Sequence, residues 1–275
     1  MKHFNDKTVF LIGGSSGIGL STANLLAGQG AHLVIFARDP DRLDRARREI
    51  TGHRRSADQR VAARRLDVAD ARAVRQVITD AISEFGVPDA LINCAGRAYP
   101  RPFQEITDDQ FDETMKINLY GIWNTVSALA PHMKKKGGHI VNTASMAGLI
   151  GVYGYTDYCA SKFGVIGFSE ALRSELRPLG VRVSVLCPPD TDTPGFAVEN
   201  RTKPPETQAV SAGAKLMTPD DVARALLAGM RRGRFLILPG FDSKLTFFVK
   251  RLLPGLVDRI MARAIRKAQR GRDAR

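Results

Sequence analysis

Seven short apolar runs, rich in β-branched residues, alternate along the chain with longer stretches whose apolar residues recur at helical spacing. This alternation predicts parallel strands joined by crossover helices that pack on both faces of one sheet. The expected strands are Thr8–Ile12, His32–Ala37, Val61–Leu66, Ala90–Asn93, His139–Thr143, Val181–Leu186 and Phe235–Leu238. The clearest helical stretches are Ala71–Phe85, Asp109–Lys135, Ser161–Leu179 and Pro219–Arg231. A length of 275 residues fits one such α/β domain.

Composition and cysteine usage limit the class of protein. Hydrophobic residues make up 44% and charged residues 25% of the chain, which is typical of a globular protein and excludes global disorder. Cys94, Cys159 and Cys187 lie far apart without the spacing of metal ligands, so we expect small buried thiols, no disulfide framework and no metal site. No apolar run is long enough to span a membrane, and residues 1–6 lack the apolar stretch of a signal peptide. We therefore expect a cytoplasmic protein.

Two regions depart from the alternation of strands and helices. Residues 187–217 are rich in Pro, Thr and charged residues, show no regular period, and are long for a connection between two elements. We interpret this segment as a lid over a substrate site. Beyond Pro239 the pattern becomes basic and amphipathic. The sequence therefore predicts a main domain at residues 1–240, which includes the lid, and a helical tail at residues 241–275.

A glycine-rich turn follows the first expected strand. Residues 13–19 read Gly-Gly-Ser-Ser-Gly-Ile-Gly and lead into a helical stretch at Leu20–Ala27. Glycines between a strand and a helix let backbone N–H groups approach a pyrophosphate at the positive end of the helix. We therefore expect a dinucleotide to bind here. The residues of this turn expected to contact it are Gly13, Ser15, Ser16, Gly17, Ile18 and Gly19.

Tyr158 and Lys162 are spaced so that a helix would bring a phenol and an ammonium to one face. A tyrosine that exchanges protons near neutral pH needs its pKa lowered by about three units, worth about 4 kcal/mol. One cation at about 4 Å supplies about that much at an effective dielectric constant of about 20. We therefore expect Lys162 to lower the pKa of Tyr158. Ser145, thirteen residues before Tyr158, would place a hydroxyl at the carboxyl edge of the sheet.

These motifs together resemble the short-chain dehydrogenase/reductase family. The glycines have its Gly-x-x-x-Gly-x-Gly spacing, Ser145, Tyr158 and Lys162 follow its order, and Asn118 in Lys-Ile-Asn-Leu matches a further family position. The resemblance covers about residues 8–193. It implies a Rossmann-type, doubly wound parallel α/β sheet and the interconversion of a ketone and a secondary alcohol. Tyr158 would protonate the oxygen and Ser145 would steady it. Lys162 would also hold the nicotinamide ribose, and Asn118 would bind a water that relays protons.

Arg38 determines which nicotinamide cofactor we expect. An acidic side chain at the end of the second strand would accept hydrogen bonds from a ribose and repel a 2′-phosphate, whereas the guanidinium of Arg38 can bind that phosphate. We therefore predict NADPH rather than NADH. The alternative is that the nearby Asp39 and Asp41 neutralise Arg38. The other cofactor contacts implied by the family resemblance are Asp67, Val68, Asn93, Ala95, Gly96, Tyr158, Lys162, Pro188, Thr191 and Thr193.

The lid indicates a substrate. Its run Pro-Pro-Asp-Thr-Asp-Thr-Pro-Gly-Phe at residues 188–196 resembles members of the family that reduce a long-chain 2-amino-3-ketone, a precursor of sphingoid bases. The resemblance implies this lipid as substrate and NADPH as reductant. Asp190 or Asp192 could accept hydrogen bonds from the amine, and Phe196 could line the lipid chain, although either aspartate could instead stabilise a turn or cap a helix. The alternatives are another lipid ketone, such as a 3-ketoacyl thioester or a steroid, and, outside the enzymes, a cofactor-sensing protein that binds nucleic acid.

The tail predicts an amphipathic helix with a basic face. Residues 244–275 hold ten Lys or Arg against two Asp, a net charge of +8 within the +13 of the whole chain. The apolar positions are Val249, Leu252, Leu253, Leu256, Val257, Ile260, Met261, Ala264 and Ile265. Such a helix would lie on an anionic membrane surface, so we expect a peripheral protein at the cytoplasmic face and no binding of nucleic acid. The alternative is packing on the enzyme's own core or on a second subunit, with Pro254 interrupting the helix.

The family resemblance also implies an assembly of identical subunits. The expected homodimer or homotetramer would be joined through the long helices around residues 109–135 and 156–179.

Overall fold

Seven strands pair in parallel to form one sheet. The computed structural model describes residues 3–213 and 215–273, and in this part of the chain the strand order is β3-β2-β1-β4-β5-β6-β7. The strands are β1 (Thr8–Ile12), β2 (His32–Ala37), β3 (Val61–Arg65), β4 (Ala90–Asn93), β5 (Gly138–Thr143), β6 (Val181–Leu186) and β7 (Leu236–Ile237). All seven predicted strands are confirmed, with ends that differ by at most one residue.

Helices cover both faces of this sheet. They are α1 (Gly17–Ala27), α2 (Pro40–Gly52), α3 (Ala71–Phe85), α4 (Asp108–Met115), α5 (Gly121–Met133), α6 (Thr156–Leu176), α7 (Pro194–Glu199), α8 (Pro205–Ser211), α9 (Pro219–Arg231), α10 (Phe241–Leu252) and α11 (Pro254–Asp273). Successive strand residues point to opposite faces, so Phe10 packs in a cluster with α3, α5 and α6, whereas Leu11 packs in one with α1, α2 and α9. The predicted doubly wound α/β architecture is confirmed.

The strand order reverses between β1 and β4. The chain runs from β1 outward through β2 and β3, then returns to place β4 on the other side of β1. Beyond the carboxyl ends of two strands that diverge in this way, the connecting loops leave a crevice that can hold a ligand. The turns that begin at Gly13 and Cys94 form this crevice, and Ser145 follows the neighbouring strand β5.

Two of the predicted helices have different boundaries. A continuous α-helix was predicted at Asp109–Lys135, but residues 116–120 form a π-helical turn between α4 and α5. In this turn the N–H of Gly121 donates to the carbonyl of Lys116. A π turn inserts one residue into a helix and is frequently found at functional sites. Helix α6 begins five residues before the predicted Ser161, so it includes Tyr158.

The lid contains two short helices, α7 and α8, which its sequence did not indicate. Its base is closed because the N–H of Asp192 donates to the carbonyl of Met217 at 2.9 Å. Thr207 Oγ1 donates to the carbonyl of Tyr153 at 2.7 Å, which fastens α8 to the segment before α6. In its described residues the lid is therefore attached to the rest of the chain at its base and at its middle.

The tail forms two helices that meet at Pro254, as predicted. Helix α11 lies against α10 and against α8 of the lid, and its Val257 is buried. One side of the tail therefore packs on the chain itself, as in the alternative given above. Four large apolar side chains on the outer face of α10 are exposed, namely Phe241, Leu245, Phe248 and Leu252. In the described residues, no helix is long and apolar enough to cross a membrane.

Candidate functional site

The turn after β1 touches the turn after β4. Gly13 has a φ of 81°, and a Cβ added there would lie 2.6 Å from the backbone nitrogen of Ala95. A Cβ on Gly19 would lie 2.1 Å from the carbonyl oxygen of Gly13. Neither contact leaves room for a side chain, so glycine at these positions lets the backbone close up at the mouth of the crevice. Ser16, which precedes α1, makes no side-chain cap hydrogen bond.

The crevice is a cleft of about 320 Å³. Most residues predicted to contact the cofactor line it: Gly13, Ser15, Ser16, Gly17, Ile18, Gly19, Arg38, Asp67, Val68, Ala95, Gly96 and Thr193. Thr193 belongs to the lid, and its Cγ2 would lie 3.0 Å from a Cβ on Gly17, so the lid reaches the glycine turn.

Five other predicted cofactor contacts lie outside the lining of this cleft, namely Asn93, Tyr158, Lys162, Pro188 and Thr191. Asn93 is buried, and its amide donates to Asn142 Oδ1 at 2.9 Å while its oxygen accepts from Thr125 Oγ1 at 2.9 Å. Pro188 and Thr191 are also buried, at the end of β6 and the base of the lid. The side chain of Asn93 therefore ties β4 to β5 and α5 beneath the cleft.

Arginines give the cleft a positive lining. Arg38, Arg42 and Arg97 all contribute to it. Asp39 accepts the N–H of Arg42 at 2.9 Å, which caps α2, and lies 3.5 Å from the Arg42 guanidinium. Within the described part of the chain, no carboxylate lies at ion-pair distance from Arg38, so Asp39 and Asp41 do not neutralise it directly.

Arg97 is a cleft residue that sequence reasoning missed. Its guanidinium lies 4.1 Å from the centre of the Tyr99 ring and pairs with Glu113, while its Nε is buried without a partner. Burial lowers the pKa of Arg97, and the nearby charge of Arg38 lowers it further. The position directly after the Ala-Gly turn was the only indication in the sequence that this side chain would face the cleft.

Lys162 is buried beneath Tyr158. Its Nζ donates to the carbonyl of Thr143 at 2.9 Å and lies 5.5 Å from the centre of the Tyr158 ring. Burial lowers the pKa of Lys162 to about 8, partly offset by the neighbouring thiols of Cys187 and Cys94. Both thiols are free, and burial raises the pKa of Cys94 to about 11 and that of Cys187 to about 12.

The pKa of Tyr158 is raised. Burial is the largest cause, the charge of Glu199 adds to it, and a side-chain hydrogen bond with Ser145 acts in the opposite direction. The expectation that the pKa of Tyr158 is lowered is therefore contradicted in this structure, because the loss of water around the phenol outweighs the hydrogen bond with Ser145. The structure does bring Ser145, Tyr158 and Lys162 together at the ends of β5 and α6.

Asp157 positions the start of α6, and sequence reasoning missed it. Its buried carboxylate accepts the N–H of Tyr158 at 2.7 Å, the hydroxyl of Thr114 at 2.8 Å and the amide of Gln110 at 3.2 Å. A carboxylate in the first turn of a helix is favoured by the helix dipole. These bonds fix the first turn of α6 against α4, and with it the direction of Tyr158.

Asn118 lies in the π-helical turn and is buried. Its Oδ1 accepts the N–H of Arg97 at 2.9 Å, and its Nδ2 donates to the carbonyl of Arg97 and to Ser161 Oγ, each at 3.0 Å. Both donor positions of the amide that we expected to bind a relay water are therefore already engaged. A Cβ on Gly96 would lie 3.3 Å from Asn118 Oδ1 and 3.4 Å from Lys162 Nζ, so Gly96 packs against both.

The family model of the short chain dehydrogenases matches residues 7–204. The chain belongs to the short chain dehydrogenase family. It is an oxidoreductase, as the resemblance of its motifs implied. A relative from Bos taurus named 3-ketodihydrosphingosine reductase is 38% identical over 237 residues, which is 86% of this chain and 71% of the relative. A relative of the same name from Dictyostelium discoideum is 37% identical, covering 91% of this chain and 78% of the relative.

Solved structures of other dehydrogenases have the same fold. One from Burkholderia phymatum in complex with NAD aligns with a TM-score of 0.81 and 27% identity, over 93% of this chain and 96% of that one. An alcohol dehydrogenase from Thermococcus sibiricus complexed with 5-hydroxy-NADP aligns with a TM-score of 0.72 and 26% identity, over 85% of this chain and 96% of that one.

In this short chain dehydrogenase the lid carries charged side chains close to Tyr158. Lys203 Nζ lies 3.5 Å from Asp190 and 3.3 Å from Glu199, and it lies 4.5 Å from the centre of the Phe196 ring. Of the predicted substrate contacts, Asp190 and Phe196 therefore face Lys203, whereas Asp192 is exposed. Sequence reasoning missed both Glu199 and Lys203, although their spacing of four residues would place them on one face of a helix.

Proposed function

We propose that this oxidoreductase reduces 3-ketodihydrosphingosine to dihydrosphingosine with NADPH, a step of sphingolipid biosynthesis. The names of the bovine and Dictyostelium relatives support this substrate. The observation that carries the proposal is an acidic lid whose Glu199 accepts a hydrogen bond from Tyr155, the residue directly before the helix of Tyr158. Reduction of a 2-amino-3-ketone requires a proton donor at its carbonyl oxygen and an acceptor for the adjacent amine. Tyr158 supplies the donor, and the lid carboxylates supply the acceptor.

The cleft fits a phosphorylated dinucleotide. The closely packed glycine turn and the start of α1 favour a pyrophosphate, and Arg38 beside Ser15 suits a 2′-phosphate. No carboxylate pairs with Arg38 in the described part of the chain, so its charge is available to a ligand. When bound, the nicotinamide would supply the hydride. Lys162 and Tyr158 would hold its ribose.

Tyr158 would donate a proton to the ketone oxygen. Its raised pKa keeps the phenol protonated across the neutral range, which is the form that reduction requires. Ser145 would donate a hydrogen bond to the same oxygen and stabilise the negative charge that develops there. Lys162, at 5.5 Å from the ring, would stabilise the phenolate left after proton transfer. Asn118 would act as a positioning residue, because it holds the turn at Gly96 and Arg97 against Lys162.

The experiment that tests the substrate compares three ketones at equal concentration. NADPH oxidation is followed with 3-ketodihydrosphingosine, a 3-ketoacyl thioester and a steroid ketone. We expect the amino ketone to give the highest kcat/KM. A higher kcat/KM for either of the other ketones, or no turnover of the amino ketone, would overturn the proposed substrate.

The tail is proposed to hold the enzyme on an anionic membrane, where a long-chain substrate resides. We treat residues 241–275 as an appendage of the main domain at residues 1–240. The exposed apolar residues of α10 recur at i, i+4, i+7 and i+11, so they lie on one face and can insert together. Lys244 and Arg251 are exposed at one flank of this face and would meet acidic headgroups, whereas Lys250 lies on the opposite side of the helix and pairs with Asp258. We place the protein as peripheral at the cytoplasmic face.

The helices beside the site are proposed to join identical subunits. Tyr120, Trp123 and Phe163, at the junction of α4 and α5 and on α6, are about half exposed. Large exposed aromatic residues grouped on two neighbouring helices are typical of a protein interface. We expect a homodimer or homotetramer in sedimentation velocity, and Trp123→Glu should shift the population towards the monomer.

A further inference from the structure

A largely buried carboxylate of the lid lies near the phenol that the proposed reaction uses. Glu199, the last residue of α7, accepts a hydrogen bond from the hydroxyl of Tyr155. The rings of Tyr155 and Tyr158 lie 5.5 Å apart, centroid to centroid. The carboxylate of Glu199 is thus about one aromatic ring away from the reacting side chain, and none of the steps proposed above uses it.

The charges around Glu199 leave room for a second cation. Lys203 is shared between Glu199 and Asp190, with a side chain that is only 4% exposed. These three groups together carry a net charge of −1 when all are ionised. Charges removed from water are costly unless each is paired, so an additional ammonium at this place would be favoured. Lys203 itself shows that the pocket accepts an ammonium, since it lies between two carboxylates and over the ring of Phe196.

Among the three lid carboxylates discussed, Glu199 lies deepest. Its side chain is 16% exposed, compared with 34% for Asp190, and Asp192 is exposed. Burial raises the pKa of Glu199, and its charge raises the pKa of Tyr158 more than that of Asp190 does. A charge in a drier place is screened less by water, so Glu199 is the carboxylate whose charge acts more strongly on the phenol.

The chemistry of the substrate matches this position. In a 2-amino-3-ketone the nitrogen is bonded to the carbon next to the carbonyl carbon. If the carbonyl oxygen accepts the proton of Tyr158, the ammonium lies close to that phenol. A carboxylate beside Tyr158 is then within its reach. We propose that Glu199 is a specificity-determining residue that accepts the substrate ammonium, with Tyr155 holding the carboxylate in place. This inference rests on the proposed function and assigns the amine to Glu199 rather than to Asp190 or Asp192.

The test measures selectivity rather than activity alone. Two ketones of equal chain length are compared, 3-ketodihydrosphingosine and its analogue without the amine, and the ratio of their kcat/KM values is determined. Glu199→Gln keeps the shape of the side chain and can still accept from Tyr155, but it removes the charge. We expect the ratio to fall about 10- to 100-fold, the loss typical of one charge-assisted hydrogen bond. Glu170→Gln, the same change at an exposed position of α6, should leave the ratio unchanged.

The outcomes separate this inference from the proposed function. If the wild-type enzyme does not reduce the amino ketone, both fail. If it does, but Glu199→Gln leaves the ratio unchanged, or lowers both kcat/KM values equally, only the role of Glu199 is overturned. A fall in the ratio with Asp190→Asn but not with Glu199→Gln would likewise overturn it. If Glu199→Gln does not fold, Glu199→Asp, which keeps the charge on a shorter side chain, should lower the ratio by a smaller factor.

Discussion

Two walls face each other across the site, and they are held by different forces. The sheet-edge wall consists of the ends of β1, β4 and β5 with the first turns of α6. Lys162, Asn118 and Asp157 are buried there, and backbone groups or uncharged side chains hold them. The lid wall consists of residues 187–213 and 215–217, where Lys203 pairs with both Asp190 and Glu199. In the proposed reaction the first wall would fix the positions of the reacting groups, while the second would present charge to the substrate.

The largest effect should come from the sheet-edge wall. Tyr158→Phe removes the proton donor and should lower kcat by about 10³-fold, within the range typical of general acid catalysis. NADPH should still bind, because the glycine turn and the arginines of the cleft are unaltered, and protein fluorescence can measure this. Tyr120→Phe, which removes a hydroxyl from an exposed ring, is the matched control. Turnover in Tyr158→Phe close to that of the control would remove Tyr158 from the reaction.

The strands of the sheet-edge wall, and the placing of Ser145 and Tyr158 at one edge of the sheet, could be predicted from the sequence. Strands that are buried on both faces must be apolar throughout, so their positions are visible, and the fold then carries Ser145 and Tyr158 to one edge. Asp157 was missed because a carboxylate next to a tyrosine has no periodic pattern. The direction of the Tyr158 pKa was also wrong, because burial cannot be read from a spacing of four residues.

The lid wall was predicted only as a segment. Its aspartates were recognised from a run of residues, but the partner of Asp190 is Lys203, thirteen positions away, and that ion pair depends on how α7 and α8 fold back. Similarly, the predicted apolar stripe of the tail began at Val249 and missed Phe241, Leu245 and Phe248 on the outer face of α10. Contacts between short helices of low periodicity depend on tertiary packing, which a local pattern does not encode.

The cofactor side of the sheet-edge wall can be tested at Arg38. Arg38→Asp replaces a phosphate-binding group with one that repels a phosphate and accepts bonds from a ribose, so the ratio of kcat/KM for NADPH to that for NADH should fall about 100-fold. Arg75→Asp, an equal change of charge at an exposed position of α3, should leave the ratio unaltered. Equal use of NADH and NADPH by the wild-type enzyme would contradict the assignment of NADPH.

The pH dependence should also report on the sheet-edge wall. The pKa of Lys162 is lowered to about 8, so its ammonium loses its proton as the pH rises through this value, and kcat/KM should fall about five- to sixfold from pH 8 to pH 9. Tyr158 stays protonated in this range because its pKa is raised. The unfolded lysine keeps its proton to about pH 10.5, so the unfolded state binds more protons between these values. This group therefore makes the protein more stable as activity falls.

Above pH 8, deprotonation of Lys162 should lower kcat/KM and raise the free energy of unfolding, and this difference in direction makes the experiment specific. A loss of activity caused by alkaline unfolding would be accompanied by a lower free energy of unfolding, whereas deprotonation of Lys162 raises it. The measurement is a pH–rate profile at saturating NADPH with the ketone that lacks the amine, so that the substrate itself does not titrate. Lys162→Arg keeps a charge that does not titrate in this range and should remove the alkaline decline. A decline that persists unchanged in this variant would assign it to another group.

The smallest effect is expected from the tail that packs behind the lid wall. Leu252 is 75% exposed on the outer face of α10, and Leu252→Ala should lower partition onto vesicles of anionic lipid about fivefold, because it removes apolar surface that would enter the membrane. Leu179→Ala, at a leucine 39% exposed beside the sheet, is the matched control. Co-sedimentation at low and high salt separates apolar insertion from headgroup attraction, since only the attraction is screened. If both variants bind equally to the vesicles, the outer face of α10 does not meet the membrane.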